Sequence, residues 1–141
     1  MKLRPKNTSF TKSQRKKRFL VDLDSSKICS VNKLTFGSMG LMLLEDSFIQ
    51  AKHFKIAYDF LKKNISKRGL FWILKFPDQS FTKKPLGSRI GKGKGNVAFW
   101  AIFVNKGNVF IEIESDSYQK SILLLKKLEK RFPFSGKIIS N

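Results

Sequence analysis

The stretch 97–114 restricts the possible folds more than any other part of the chain. Val97-Ala98-Phe99-Trp100-Ala101-Ile102-Phe103-Val104 puts apolar side chains on both faces of an extended strand, so it predicts a central strand covered on each side. Asn105-Lys106-Gly107-Asn108 supplies turn residues, and Val109-Phe110-Ile111-Glu112-Ile113-Glu114 returns as the second arm of a hairpin. In that reading Val109, Ile111 and Ile113 face one way, while Glu112 and Glu114 face the other and balance nearby lysines. A turn this short permits only antiparallel pairing.

Two helical stripes can cover such a sheet. Phe54, Tyr58, Leu61 and Ile65 recur at helical spacing in a segment that Ser47 can cap and that runs to about Arg68, with Gly69 as its stop. Lys52, Lys55, Lys62, Lys63 and Lys67 fall largely outside this stripe, and a face of nearly one sign suits a ligand. Tyr118, Ile122, Leu125, Leu128 and Phe132 mark a second helix, capped from 115–117 and ended by Pro133, with Lys126, Lys127 and Lys130 on its other faces. Shorter strands are predicted at 41–44, after a turn over 35–40, at 70–76, closed by Pro77-Asp78, and at 137–139. The expected fold is α+β, an antiparallel sheet covered by two main helices over 34–141, with a basic N-terminal extension over 1–33.

Charge bounds the partners. The 141 residues hold 29 Lys and Arg against 10 Asp and Glu, a net charge of +19. Such a field attracts polyanions and opposes self-association, so nucleic acid leads, ahead of an anionic membrane surface or an acidic protein, and a homo-oligomer is not expected. Residues 1–18 contain Lys2, Arg4, Lys6, Lys12, Arg15, Lys16, Lys17 and Arg18 and no acid, the composition of an extended arm that orders on a polyanion; a mitochondrial transit peptide has a similar make-up. Over 19–33 the pattern supports only a short extended piece. No apolar run reaches the roughly 18 residues of a membrane span. With one cysteine, Cys29, and one histidine, His53, there is no intramolecular disulfide and no CxxC metal pair; counting permits a Cys–His nucleophile pair but nothing around either residue supports it, and Cys29 reads as a small hydrophobe and His53 as a helix-surface residue or RNA contact. The few acids form no pair with a nucleophile, so no catalytic residue, metal site or cofactor is assigned.

The stretch 77–95 is longer than the ~12–15 residues of a passive connection, which marks a functional or partner-ordered loop. Its second half, Arg89-Ile90-Gly91-Lys92-Gly93-Lys94-Gly95, removes Cβ from alternate positions and sets cations between them. Bare N–H groups beside ammonium and guanidinium make an anion cradle. A Walker A loop needs GxxxxGK[ST], which does not occur. Gly93-Lys94-Gly95-Asn96-Val97-Ala98 fits GxGxxA, but a dinucleotide site needs a helix after the glycines, and here a strand follows. The phosphate backbone of a polymer remains, against a plain hinge with solvated lysines. Trp72 and Trp100 sit inside apolar strands, which makes them core residues before base-stacking ones.

Taken together, Trp72-Ile73, Phe76-Pro77-Asp78, Thr82, Lys84-Pro85-Leu86 and Arg89-Ile90-Gly91-Lys92-Gly93-Lys94-Gly95-Asn96-Val97 resemble the large-ribosomal-subunit protein sixteen family, whose archaeal and eukaryotic relatives are called L ten-e. Pro5-Lys6, Phe36-Gly37-Ser38, Gly40-Leu41, Gly107, Glu112 and Pro133 add to the likeness, which runs from about Leu34 to the end and leaves 11–33 unaligned. The resemblance implies an α/β-hammerhead fold without catalysis or cofactor. It implies binding to large-subunit rRNA beside the aminoacyl-tRNA site, contact with tRNA and neighbouring ribosomal proteins, and late assembly. Carried over, Arg89, Gly91, Lys92, Gly93, Lys94 and Gly95 would meet rRNA or tRNA, with Lys83 and Lys84 at the loop's base and Lys6 in the arm. The chain departs from the family at Lys55 and Tyr58-Asp59, where a glutamate and paired arginines are usual, and in a last helix rich in Leu and Lys instead of Ala. That drift resembles a protein of a mitochondrial ribosome, in the matrix. A free nucleic-acid-binding regulator is the alternative, and a phosphate-using enzyme a third reading.

Overall fold

A computed structural model describes residues 3–6, 8, 10–14, 33–88, 91, 93–115 and 117–140; Cys29, Arg89, Lys92 and most of the weakly patterned 19–33 stretch lie outside them. The described elements are β1 (Met39–Leu43), β2 (Ser47–Gln50), α1 (Ala51–Asn64), β3 (Leu70–Ile73), β4 (Gln79–Lys83), β5 (Asn96–Val104), β6 (Val109–Glu114), α2 (Tyr118–Glu129) and β7 (Gly136–Ser140). The architecture is α+β and every strand pair is antiparallel, but the strands divide into two sheets, β3-β6-β1-β7 and β2-β5-β4.

The hairpin expected at 97–114 does not form. β5 and β6 follow one another in the chain and lie in different sheets. Both edges of β6 are taken by β1 and β3, and both edges of β5 by β2 and β4, so neither strand has an edge left for the other. The turn between them docks onto β1 instead: Leu43 N–H donates to Asn108 O at 3.0 Å and Gly107 N–H to Leu43 O at 2.8 Å. β5 is central in its sheet, as its composition predicts, yet it is not covered on both faces. Ala98 is exposed and Phe99 retains 37% of its surface. On one face Phe48, Phe81 and Phe99 pack ring against ring, with centroids 4.7 to 6.2 Å apart.

The first helix starts later than a Ser47 cap predicts and ends at Asn64, short of Arg68. Ser47 belongs to β2, where Ile49 is wholly buried and Gln50 takes the N-cap position. Phe54, Ala57 and Leu61 of α1 and Leu125 and Leu128 of α2 pack with Met39, Leu41, Leu43, Ile111 and Ile113 to form the core. Phe110 joins the layers, meeting Phe54 edge-on at 5.1 Å and Phe132 at 5.2 Å. In α2 the stripe begins at Ser121, which is buried; Tyr118 is 59% exposed. Ser121 is satisfied by the Ser115 hydroxyl at 2.8 Å.

Glu112 is not on a solvated strand face. It is fully buried, and its carboxylate accepts N–H bonds from Thr35 at 3.0 Å, Phe36 at 2.6 Å and Gly37 at 2.8 Å. The strand thus uses an acid to hold the segment that leads into β1.

Candidate nucleic-acid interface

β4 changes the meaning of the glycine loop. Gln-Ser-Phe-Thr-Lys carries too few apolar residues to read as a strand, but it is laddered to β5 from Gln79↔Ala101 to Lys83↔Asn96. The long irregular stretch is therefore a β-hairpin, with residues 84–95 as its loop. Gly87, Gly91 and Gly93 have φ of 81°, 98° and 75°, and a Cβ at any of them would meet nothing within 4 Å. These are left-handed positions that only glycine adopts without strain, and no side chain stands over the backbone there. Gly95 acts differently, since a Cβ there would lie 2.5 Å from Lys83 O and its absence lets the two limbs close.

The expected site residues are brought together in part. Lys83, Lys84 and Lys94 are exposed around the loop, as are Gly91 and Gly93, and Leu86 in its first limb is fully solvent-facing. Arg89 and Lys92 lie outside the described residues. Lys6 is exposed in the arm, which Leu3 ties to the core by packing against it. Further along the arm, Ser13 and Lys12 reach the hairpin: Ser13 N–H donates to Ser80 Oγ at 3.0 Å, and Lys12 Nζ to Lys94 O at 2.9 Å. Sequence reasoning missed both Ser80 and Lys12 as members of this cluster, because partners 67 and 82 positions apart leave no local pattern.

Other cations surround the fold. Lys52, Lys55, Lys62 and Lys63 are exposed on α1, and Lys120, Lys126, Lys127 and Lys130 on α2 and its cap. Arg131 is engaged within the protein, 4.2 Å above the Phe60 ring. His53 sits in the first turn of α1, half-buried, where its Nδ1 accepts the Gln50 N–H at 3.3 Å. Burial, and then the charge of Lys52, hold its pKa below the ordinary value. Trp72 stacks on Phe36 at 5.8 Å, and Phe36 is 58% exposed, so this pair lies at the surface rather than in the core. Among the described residues no His, Cys, Asp and Glu group could hold a metal ion, and no helix is long and apolar enough to cross a membrane.

Fold and loop together define a class, a basic α+β protein whose β4–β5 hairpin carries a glycine-rich loop flanked by exposed lysines. The profile of the family described as Ribosomal protein L16p/L10e matches residues 5–139, and the chain belongs to that family of ribosomal proteins, structural components rather than enzymes. It is similar to the large ribosomal subunit protein uL16 of Buchnera aphidicola subsp. Cinara cedri, 31% identical over 98% of this chain and 96% of the relative. The uL16 proteins of Wigglesworthia glossinidia brevipalpis, 29% identical over the same shares, and Corynebacterium urealyticum, 31% identical over 96% and 94%, are similar too. The family match takes in residues 5–33, including the part of the arm that resemblance alone left unaligned.

Proposed function

We propose that this chain, as a structural constituent of the large ribosomal subunit, binds large-subunit rRNA beside the aminoacyl-tRNA site and supports tRNA placement and late subunit assembly. One observation carries the reading: the β4–β5 hairpin closes through a loop whose left-handed glycines put no side chain between backbone and solvent beside exposed lysines, in a chain of net charge +19. Lys83 and Lys84 at the base, Arg89, Gly91, Lys92, Gly93, Lys94 and Gly95 along the loop, and Lys6 in the arm are the residues that hold rRNA or tRNA. Neighbouring ribosomal proteins are the remaining partners. The same reading gives a basic arm over 1–33 and an rRNA-binding domain over 34–141, which Leu34 opens as a buried residue, and groups the layers with the α/β-hammerhead folds. The drift toward Lys, Phe and Ile favours a mitochondrial ribosome, although the relatives compared are bacterial.

The test is binding of the full chain to a large-subunit rRNA fragment across a salt series. Log K falls by about 0.7–0.9 per phosphate contacted for each decade of salt. A flat series overturns the proposal. In gradients the chain should sediment with the large subunit of fractionated mitochondria; sedimentation free of ribosomes would make it a free nucleic-acid-binding regulator.

A further inference from the structure

Ser80 is 6% exposed in the middle of β4, a strand whose ladder does not need its hydroxyl. That hydroxyl anchors the N-terminal arm. Ser13 N–H donates to Ser80 Oγ at 3.0 Å and the two hydroxyl oxygens lie 3.2 Å apart. From this anchor the arm reaches the descending limb of the loop. Lys12 Nζ donates to Lys94 O at 2.9 Å, and Lys94 Nζ donates to Ser13 O at 2.5 Å. The contact is reciprocal, since each lysine closes its ammonium on the backbone of the other's segment.

We infer that the arm splints the glycine loop, with Lys12, Ser13 and Ser80 as positioning residues for Lys94. Glycine-rich backbone has the most conformational freedom to lose, and at Gly91 and Gly93 even an added Cβ would find no packing partner within 4 Å. Lys94 stands between Gly93 and Gly95, so holding its carbonyl and its ammonium restrains the limb at the point where it is softest. Bringing Lys12 and Lys94 together costs like-charge repulsion, which the carbonyl acceptors on both sides offset. Each ammonium has three N–H donors, and one is used here, so the splinted loop still offers charge and donors to an anion. The inference concerns the unbound chain and holds whichever polyanion the loop meets.

Backbone 15N relaxation of the full chain without nucleic acid tests it. In the unaltered protein the order parameters of Gly93, Lys94 and Gly95 should approach the ~0.85 of rigid backbone, and in Ser80→Ala/Lys12→Met they should fall below about 0.6. β6 amides should not change, and Lys12→Arg, which keeps a donor, should preserve loop order. Lys12→Met alone, at an exposed position that cannot unfold the core, should lower the order of the same three residues. Order parameters below about 0.6 at 93–95 in the unaltered chain, or no change in either variant, overturn the inference.

Discussion

Glu112 shows how residue type and residue role can separate. In a strand of alternating Ile and Glu it reads as a solvated face, yet it is fully buried beneath the backbone of 35–37, where Gly37 is required because a Cβ would lie 2.9 Å from Ile113 O. Glu112→Gln keeps an oxygen for two of the three donors but turns an NH2 toward the third. The expected loss is about 1–3 kcal/mol, the cost of one buried donor left unsatisfied, read from urea unfolding of the isolated chain. His53 adds a pH dependence. Its folded pKa lies below the unfolded 6.5, so the unfolded chain takes up the proton first and stability is lost as pH falls from 6.5 through the folded pKa. The bond from Gln50 N–H to Nδ1 is lost with it. Thermal unfolding between about pH 7.5 and 5.5 should show a falling midpoint, and His53→Gln should flatten that fall. The lone histidine was visible from the start, but its use as an acceptor depends on β2 running straight into α1.

At the scale of elements, the β4–β5 hairpin is what sets the basic glycine string between two paired strands. Its glycines fall into two kinds, and substitution should separate them. Gly95→Ala places a Cβ against Lys83 O and must push the limbs apart, so the Lys83 and Asn96 amides should lose protection in hydrogen exchange. Gly91→Ala meets open space and strains only its own φ of 98°, at about 1–3 kcal/mol, leaving that last rung protected. Equal exchange in the two variants would show that Gly95 does not close the hairpin. The two helices and strands β1, β3 and β7 were legible because each carries a periodic or continuous apolar pattern. β4 was not, because its Gln, Ser and Thr are acceptable in a strand only when a neighbour such as β5 supplies both the ladder and the apolar contacts.

For the whole molecule, charge acts on folding and on binding with opposite signs. A net +19 repels itself in the compact state, so raising salt from about 20 mM to about 200 mM should raise the unfolding midpoint of the free chain by screening. The same change should weaken its grip on RNA, because counterions released into more concentrated salt gain less entropy. Calorimetry and a binding series run in matched buffers would check both; midpoint and affinity moving in the same direction would refute the opposition of signs. The arm belongs to this scale as well, since it joins residues 12–13 to β4 and to the loop across the surface of the molecule.

Residue order alone was enough for the α+β class, the two helical stripes, the large excess of positive charge and the glycine–lysine loop with its ribosomal family likeness. All of these are properties of neighbours in the chain, where side-chain spacing and backbone freedom act directly. Strand partnership, the burial of Glu112 and the seating of the arm needed the folded molecule. An apolar strand with a turn after it can pair with whichever edge is open, and here β1 and β3 flank β6 while β2 and β4 flank β5, so neither strand has an edge for the other. Competition among segments tens of residues apart decided the partners, and it placed the loop at the end of a hairpin that its own residues do not announce.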